Sequence, residues 1–268
     1  EARDQGFQDR PADRATNRVS PNIVGAFYMN SGDVESAMKE ADITVGGEFW
    51  VGKKTASPLE RANAICRYDS DGGITMWSNG AGVHGVIKQG ICRILGMKEA
   101  YVRVIQPYMG GSFGSRLNPY IEILTALMCL KTKRTVRFSF TRKEVFCSAP
   151  SNWPCITKVK LGAKKDGTVI ANDYYLCEEI GAALNNTFFS GRLSSSGAAP
   201  CYRWAEKGKT SNMRMDTYAV STNTVPAAEY RGLGCPEAEF GIECLMNQLA
   251  DELGMSPVEI RSATAMAS

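Results

Sequence analysis

The chain has 268 residues, of which 44% are hydrophobic and 22% charged, enough apolar material for one large domain or two small ones. Its 31 basic and 28 acidic residues leave a formal net charge of +3, which excludes the strong field typical of nucleic-acid or membrane-surface binding. No apolar run approaches the ~20 residues that span a bilayer, and residues 1–18 do not have the pattern of a signal peptide.

The N-terminal half predicts a linker followed by alternating short helices and strands. Residues 1–20 mix Arg, Asp, Pro and Asn without periodicity, which predicts a linker or extended arm ahead of a domain over residues 21–268. A helix capped by Ser31 or Asp33 is expected first. Next come predicted strands over residues 43–51, 62–68 and 74–78, the last two joined in a hairpin, and a helix over residues 82–95 that ends at Gly96.

A glycine-rich loop is the most informative feature of the chain. Residues 108–116 (Tyr-Met-Gly-Gly-Ser-Phe-Gly-Ser-Arg) lie between a predicted strand over 100–106 and a predicted helix over 119–130. Glycines let a backbone approach a ligand closely, and amides at a helix start favour anions, so a phosphate-bearing cofactor suits this loop. The spacing matches neither a P-loop nor G-x-G-x-x-G. A tight turn without a ligand remains the alternative.

The C-terminal half predicts further strands, a long irregular stretch and two helices. Strands are expected over residues 134–140, 155–161, 168–176 and 213–221. Residues 181–212 are rich in Gly, Ser, Ala and Asn, and are too long for a connector, so we expect them to line a site or an interface. One predicted helix presents an apolar face, and a capping box at residues 256–259 starts the last helix; the apolar face consists of Phe240, Cys244, Leu245, Leu249 and Leu253.

These elements together predict a mixed α/β (α+β) fold, in which mixed sheets and hairpins are covered by helices. A second glycine-rich loop, Tyr-Arg-Gly-Leu-Gly at residues 230–234, leads into the apolar-faced helix. Arg231 offers a planar fork suited to a phosphate, a carboxylate or an oxo ligand, although a surface ion pair would also explain it. Two such loops suggest two walls around one anionic cofactor.

The cysteines and the single histidine disfavour several kinds of site. The nine cysteines form no C-x-x-C pair, so we expect neither an iron–sulfur cluster nor structural zinc in this chain. We interpret them as buried, reduced thiols of a cytoplasmic protein. His84 is the sole histidine and has no serine or cysteine motif beside it, which disfavours a catalytic triad.

Six segments, in order, give the chain a resemblance to the molybdopterin-binding part of the xanthine dehydrogenase and aldehyde oxidase family of molybdenum hydroxylases. Ser-Pro-Leu-Glu at 57–60 is similar to the family's Ala-Pro-Met-Glu, and Gly-Gly-Ser-Phe-Gly-Ser-Arg at 110–116 to its Gly-Gly-Gly-Phe-Gly-Gly-Lys. Tyr-Arg-Gly-Leu-Gly at 230–234 resembles Phe-Arg-Gly-Phe-Gly. The remaining matches are residues 32–42, the Trp-Ser strand with its following helix over 77–96, and residues 253–261.

The resemblance implies a molybdenum–molybdopterin cofactor, in its simple or cytosine dinucleotide form. It assigns cofactor binding to both glycine-rich loops, namely to Gly110, Gly111, Ser112, Phe113, Gly114, Arg231 and Gly232. Leu117 and Leu233 would line the substrate pocket. In this family the metal is held by the pterin's sulfurs, so the resemblance implies no metal-ligating side chain here.

The implied activity is hydroxylation of a N-heteroaromatic compound, such as a purine, or of an aldehyde, with water as the oxygen source. Electrons would pass to Fe–S clusters and FAD on partner subunits. The family's general-base glutamate belongs to a second molybdopterin-binding domain, which we expect outside this chain. We therefore assign no catalytic residue here and expect activity only with partner domains or subunits, with no nucleic acid and no membrane as partners.

Three positions depart from the family's pattern. Gly82 stands where members carry a glutamine that reaches a molybdenum ligand, with Asn79 or His84 as candidate substitutes. Leu117 replaces the glutamate of mammalian xanthine-type enzymes, and Gly232 replaces the cysteine of carbon monoxide dehydrogenases. These departures motivate an alternative, a non-catalytic scaffold subunit or degenerate fragment that binds no molybdenum. A generic phosphate-binding domain outside this family is a third interpretation.

Overall fold

The computed structural model describes residues 22–182 and 201–264, which divide into two compact units. The described residues of the first unit are 22–53, 153–182, 201–227 and 232–264, and those of the second unit are 54–152 and 228–231. The chain therefore leaves the first unit, builds the second, and returns. The strands are β1 (Ile23–Ser31), β2 (Ile43–Val51), β3 (Asn63–Tyr68), β4 (Ile74–Ser78), β5 (Val102–Ile105), β6 (Val136–Ser139), β7 (Cys155–Ala163), β8 (Val169–Gly181) and β9 (Met213–Ser221).

The helices alternate with these strands along the chain. They are α1 (Val34–Glu40), α2 (Gln89–Leu95), α3 (Tyr120–Thr132), α4 (Arg142–Ser148), α5 (Cys235–Leu253) and α6 (Pro257–Thr264). A π-helical segment, Val83–Lys88, runs directly into α2, and a short 3₁₀ turn, Glu99–Tyr101, precedes β5.

The first unit is built on a five-stranded mixed sheet with the order β1-β9-β8-β7-β2. Only the β8–β9 pair is parallel within this sheet, and the other neighbours are antiparallel. Helix α5 packs across β2 and β7 and buries an apolar stripe that includes Ala238, Ile242, Leu245 and Leu249. At Gly241 a β-carbon would lie 2.8 Å from Thr157 Oγ1, so the absent side chain lets helix and sheet approach closely.

The second unit is built on a four-stranded sheet with the order β5-β4-β3-β6, in which β4 and β5 are parallel. Helix α3 covers it and buries Ile121, Ala126 and Cys129 in a core with strand residues such as Cys66 and Met76. Helix α2 packs beside α3. The loop between β5 and α3 is therefore anchored at both ends by elements of this core, which fixes the position of the glycine-rich loop.

The mixed α/β prediction is confirmed, and several element boundaries agree with it. Strands β2, β4 and β9 have the predicted limits. Asp33, rather than Ser31, caps α1 by accepting from Ser36 N at 3.0 Å. The capping box of α6 is also confirmed, since Ser256 N donates to Glu259 Oε2 and Glu259 N to Ser256 Oγ.

Other element predictions were incomplete or wrong. The segment over 82–95 is not a single α-helix, because its first half is π-helical, and the strand predicted over 100–106 starts only after a 3₁₀ turn. Strand β1 and helix α4 were not predicted. Phe240 is 47% exposed, so it does not share the buried stripe of α5. Of the irregular stretch 181–212, residues 183–200 lie outside the described residues, as does the linker predicted over 1–20.

All nine cysteines are free thiols, and Cys66, Cys129 and Cys155 are buried. Cys147 is exposed, so burial does not apply to every cysteine as we expected. No helix among the described residues is long and apolar enough to cross a membrane.

Candidate functional site

The glycine-rich loop of the second unit contacts the segment 57–60. Helix α4 contacts this segment in turn. The Arg142 guanidinium donates to the carbonyl oxygens of Pro58 at 2.8 Å and Leu59 at 2.9 Å. Ser57 has φ = +39°, a conformation that costs a non-glycine residue energy and persists only where its surroundings enforce it. The segment is thus fixed in one conformation by its contacts with α4.

Glu60 joins this segment to the loop. Its Oε2 accepts a hydrogen bond from Gly110 N at 2.6 Å, and its own N–H donates to Gly110 O at 3.3 Å. Partial burial disfavours its charged form, yet hydrogen bonds from Gly110 and from the side chains of Asn79 and Asn63 lower the pKa of the Glu60 carboxyl below its ordinary value. At Gly110 a β-carbon would lie 2.6 Å from Glu60 Cβ, so this contact requires glycine.

Arg116, at the far end of the loop, also contacts Glu60. The residue is only 6% exposed, and its guanidinium donates to the backbone carbonyl of Glu60, while its own backbone carbonyl accepts from Ala81 N at 2.9 Å. Burial lowers the pKa of Arg116, although the nearby carboxylates of Glu60 and Glu122 oppose that effect. Arg116 therefore serves as an internal anchor, with Glu60 and Glu122 near its charge, although its Nη1 has no hydrogen-bond partner among the described residues.

The central part of the loop leaves its amides open. Gly111 (φ = +102°), Phe113 (φ = +53°) and Gly114 (φ = +96°) all adopt left-handed backbone conformations, and Phe113 is 47% exposed. Within the described part of the chain, the N–H groups of Gly111, Ser112, Phe113 and Gly114 donate to no protein acceptor. Consecutive amides in such conformations form a concave donor surface that suits an anion or a polar ring edge.

The beginning of the second glycine-rich loop lies against the first one within the second unit. At Gly114 a β-carbon would lie 2.6 Å from the Glu229 carbonyl carbon and 3.0 Å from Tyr230 N. Lys54 Nζ lies 5.5 Å from the centre of the Tyr230 ring, which adds a cation–π contact. Gly114 of the first loop is therefore in contact with residues 229 and 230, where the second loop begins.

Arg231 is exposed, and among the described residues its guanidinium has no hydrogen-bond or ion-pair partner. This excludes, for the described part of the chain, the surface ion pair that we considered as the alternative. The five donors of an unpartnered guanidinium are available to a ligand with planar oxygens.

The rest of the second loop belongs to the first unit, where it forms the start of α5. Gly232 (φ = +97°), Leu233 (φ = +52°) and Gly234 (φ = +89°) repeat the left-handed run of the first loop, and Leu233 is 39% exposed. Gly234 is the N-cap and provides no side-chain cap. None of the described acceptors receives a hydrogen bond from the N–H groups of residues 232–234. These N–H groups therefore add to the positive end of a 19-residue helix.

Two of the departures from the family's pattern are neighbours in the second unit. A β-carbon on Gly82 would lie 3.9 Å from Leu117 Cδ2 and 3.1 Å from Val86 Cγ2. Gly82 has φ = +70°, so no glutamine fits there without strain. Leu117 is half-buried and lies next to Gly82. These two residues therefore form an apolar corner of the second unit.

The substitutes considered for the glutamine differ in position. Asn79 is buried and structural, because its Oδ1 accepts from Asn63 N at 3.1 Å and its Nδ2 donates to Arg61 O at 2.8 Å. His84 is exposed on the π-helical segment, and its imidazole makes no hydrogen bond or ion pair with the described residues that would orient it. Asn79 is therefore already engaged by the backbone, which leaves His84 as the less constrained of the two.

The donor set fits a pterin cofactor better than a bare metal ion. The described residues contain no group of three or more His, Cys, Asp and Glu side chains that could hold a metal. They do contain a cradle of open amides at residues 111–114, in which Gly111 and Gly114 adopt positive φ angles that other residues rarely adopt. Such a cradle suits the phosphate and ring edges of molybdopterin, whose own sulfurs supply the ligands for the metal.

Sequence reasoning missed the support of this loop. Glu60 and Arg142 make the contacts that hold it, and neither was assigned a role. The sequence signal for Glu60 is the Ser-Pro-Leu-Glu segment. Its resemblance to the family motif does not by itself explain why a glutamate stands there. The physical reason is the contact between Glu60 and Gly110, which are far apart in the sequence.

Comparisons with known proteins identify the family of the chain. A family model described as the molybdopterin cofactor-binding domain matches residues 16–265. The chain is 31% identical over 236 residues to an aldehyde oxidoreductase of Megalodesulfovibrio gigas, covering 87% of this chain and 25% of the relative. It is 28% identical over 259 residues to the nicotinate dehydrogenase large molybdopterin subunit of Eubacterium barkeri, covering 94% of this chain and 59% of the relative.

Solved structures give the same picture. The aldehyde oxidoreductase from Desulfovibrio gigas matches with a TM-score of 0.83 at 29% identity, covering 93% of this chain and 27% of that one. Quinoline 2-oxidoreductase from Pseudomonas putida 86 has a TM-score of 0.84 at 22% identity, which supports the fold. The chain thus spans only part of the relatives it matches. The predicted resemblance is confirmed: the chain belongs to the molybdopterin cofactor-binding domain family, of the xanthine dehydrogenase and aldehyde oxidase type.

Proposed function

We infer that this chain holds the molybdopterin of an oxidoreductase that hydroxylates a N-heteroaromatic compound or an aldehyde, with water as the oxygen source. Residues 21–268 would be the first of two molybdopterin-binding domains. Support comes from relatives that are named as oxidoreductases, among them an aldehyde oxidoreductase and a nicotinate dehydrogenase subunit. The chain covers only part of each of them, so its activity is expected only together with further domains or subunits.

The single observation that carries this proposal is the run of open amides at residues 111–114. Because residues 111–114 are half-buried or exposed, and their amides have no protein acceptor among the described residues, these amides are available to a ligand acceptor. Gly110, Gly111 and Gly114 let this backbone pack closely, because a β-carbon at these positions would crowd Glu60, Phe113 and Glu229, respectively. We propose that these amides orient the pterin and its phosphate.

Each remaining site residue has a proposed task. Arg231 donates from its free guanidinium to an oxygen of the cofactor or of the substrate. Phe113, whose ring is half-exposed, would border the cofactor and exclude water from it, and Ser112 would offer a hydroxyl at the cradle. Gly232 contributes an amide, and Leu233 an apolar wall of the substrate pocket. Molybdopterin, when bound, supplies the redox chemistry, for which protein groups provide orientation and electrostatics.

The apolar corner formed by Gly82 and Leu117 bears on the substrate class. A glutamate at residue 117 would offer a charged hydrogen-bond acceptor to a purine, whereas leucine offers only van der Waals contact. We therefore propose an aldehyde or a weakly polar heteroaromatic ring in preference to a purine. The electrons would leave through Fe–S and FAD partners, and the cofactor would be molybdopterin or its cytosine dinucleotide form.

Metal and pterin analysis of the protein, isolated anaerobically from its native source with its partners, tests the proposal. We expect molybdenum near one atom per chain, together with an equal amount of pterin. A well-folded protein that contains neither molybdenum nor pterin would contradict the proposed enzymatic function. It would favour the alternative, a scaffold that has kept the fold and lost the cofactor. The same sample, screened with aldehydes and N-heteroaromatic compounds, then defines the substrate.

A further inference from the structure

We propose that Glu60 is the positioning residue that holds the glycine-rich loop in its cofactor-binding conformation, a role that rests on the proposed function. We assign its carboxylate no contact with the cofactor itself. It acts through Gly110, whose amide it receives at 2.6 Å.

Glu60 provides the hydrogen bonds that connect residues 110–115 of the glycine-rich loop to more distant parts of the chain. Among the described residues, every hydrogen bond that joins residues 110–115 to a part of the chain outside residues 110–117 involves Glu60. The other bonds of this stretch are local, for example Ser115 N and Ser115 Oγ to Ser112 O, and Leu117 N to Gly114 O. Without the Glu60 carboxylate, only the 3.3 Å backbone bond from Glu60 N to Gly110 O would join residues 110–115 to a part of the chain outside residues 110–117.

The same residue is fixed from three sides. Its Oε1 accepts from Asn63 Nδ2 at 3.1 Å, and its backbone carbonyl accepts from the buried Arg116 guanidinium at the other end of the loop. The two residues before it are held by Arg142. Because the rotamer and the backbone of Glu60 are both constrained, the bond to Gly110 transmits the position of the scaffold to the loop.

The charge of Glu60 strengthens this link. Hydrogen bonds to an ionised acceptor are shorter and stronger than neutral ones, and the 2.6 Å distance to Gly110 N agrees with that. The positive charge of Arg116 lies close enough to favour the carboxylate. Glutamine at residue 60 would keep one acceptor oxygen and lose the charge, and alanine would lose both.

Hydrogen exchange of the Gly110 amide in the full chain, without cofactor, measures the link directly. We expect Glu60→Ala to accelerate this exchange about tenfold to hundredfold, because a hydrogen bond to a charged group is lost. Glu60→Gln should give an intermediate rate, since an amide oxygen still accepts. Glu99→Ala is the matched control: it removes an exposed carboxylate of the second unit that makes only a loose 3.8 Å pair with Lys88.

The outcome separates positioning from general destabilisation. Glu60→Ala should still unfold in one cooperative transition, at a lower temperature than Glu99→Ala because the buried Arg116 loses a nearby carboxylate, while its molybdenum and pterin content falls at least tenfold and is partly restored in Glu60→Gln. Wild-type exchange at Gly110 in Glu60→Ala would overturn the proposal. Faster exchange at Gly110 in Glu60→Ala combined with a wild-type pterin content would also overturn the proposal. The loop would then bind the cofactor without the hydrogen bond to Glu60.

Failure of the proposed function would give a different result. If the wild-type protein contains no pterin, the function is wrong, yet the exchange rates at Gly110 still decide whether Glu60 holds the loop. If pterin is present and the Gly110 amide exchanges equally fast in the wild type and in Glu60→Ala, only the role of Glu60 is refuted.

Discussion

Gly114→Ala is the most demanding test of the described loop geometry. A β-carbon at this position would meet the carbonyl oxygen of Glu229, lie 2.6 Å from its carbonyl carbon and lie 3.0 Å from Tyr230 N. These are backbone atoms, so no rotamer change relieves the overlap. The residue also has φ = +96°, which side chains rarely adopt.

Both effects contribute to the expected cost. A left-handed backbone costs an alanine about 1–2 kcal/mol, and overpacking typically adds about 1–3 kcal/mol. Their sum, ~2–5 kcal/mol, corresponds to a lowering of the midpoint of thermal unfolding by ~10 °C or more for a unit of about 100 residues. The assay is thermal and urea unfolding of the full chain, followed by molybdenum and pterin analysis.

Two other glycines of the second unit serve as matched controls. Gly96 has a comparable positive φ of +69°, but a β-carbon there would have no neighbouring atom within 4 Å, so Gly96→Ala isolates the backbone cost of about 1–2 kcal/mol. Gly85 has neither a positive φ nor a neighbour, and Gly85→Ala should be neutral or slightly stabilising. If Gly114→Ala destabilises no more than Gly96→Ala, the close contact between the two loops is refuted.

Three further predictions concern single side chains. Gly82→Gln should destabilise the protein by about 1–3 kcal/mol in urea titrations, because φ is +70° and Val86 Cγ2 lies 3.1 Å from the new β-carbon; a neutral result would mean that residue 82 can adopt another conformation. Burial raises the pKa of Glu122 above its ordinary value of 4.5, so its ionisation should cost stability as the pH rises from 4.5 through the folded pKa. Glu122→Gln should remove this dependence, and an unchanged pH profile of stability would contradict the prediction. Arg231→Ala should change stability by less than about 0.5 kcal/mol, since the guanidinium has no partner among the described residues, yet abolish pterin retention; wild-type pterin content would remove Arg231 from the site.

The parts of the fold that follow from local patterns could be predicted from the sequence. Strands β2 and β9 have a regular strand composition between turn residues, and Gly96 and Gly254 end helices in the left-handed conformation expected of them. The capping box at Ser256 and Glu259 was recognisable for the same reason, since both partners lie within one turn.

What could not be predicted depends on contacts between distant residues or on exact dihedral angles. The π-helical geometry of Val83–Lys88 has the same apolar spacing as an α-helix, so periodicity does not distinguish them. Phe240 fits the apolar face of α5 by spacing, yet the stripe that packs on the sheet is rotated toward Gly241 and Leu245. Likewise, nothing local in the sequence connects Glu60 with Gly110.

The candidate site also has parts that could be predicted from the sequence and parts that could not. Its glycine-rich segments and Arg231 were found from the residue types and from the resemblance, whereas the open amides follow from the left-handed angles at Gly111, Phe113 and Gly114. Such angles become readable only when the backbone is known. The sequence therefore located the cradle without showing what it offers to a ligand or how it is supported.

The most direct test of the central claim is residue-resolved hydrogen exchange in the loop of the protein with and without its cofactor. If the amides of Gly111, Ser112, Phe113 and Gly114 receive molybdopterin, they should exchange rapidly in the cofactor-free chain and at least tenfold more slowly in the cofactor-loaded protein. The Gly110 amide, already bound to Glu60, should change much less. Equal exchange of the four amides in both samples would contradict the account, because the cofactor would then be held elsewhere.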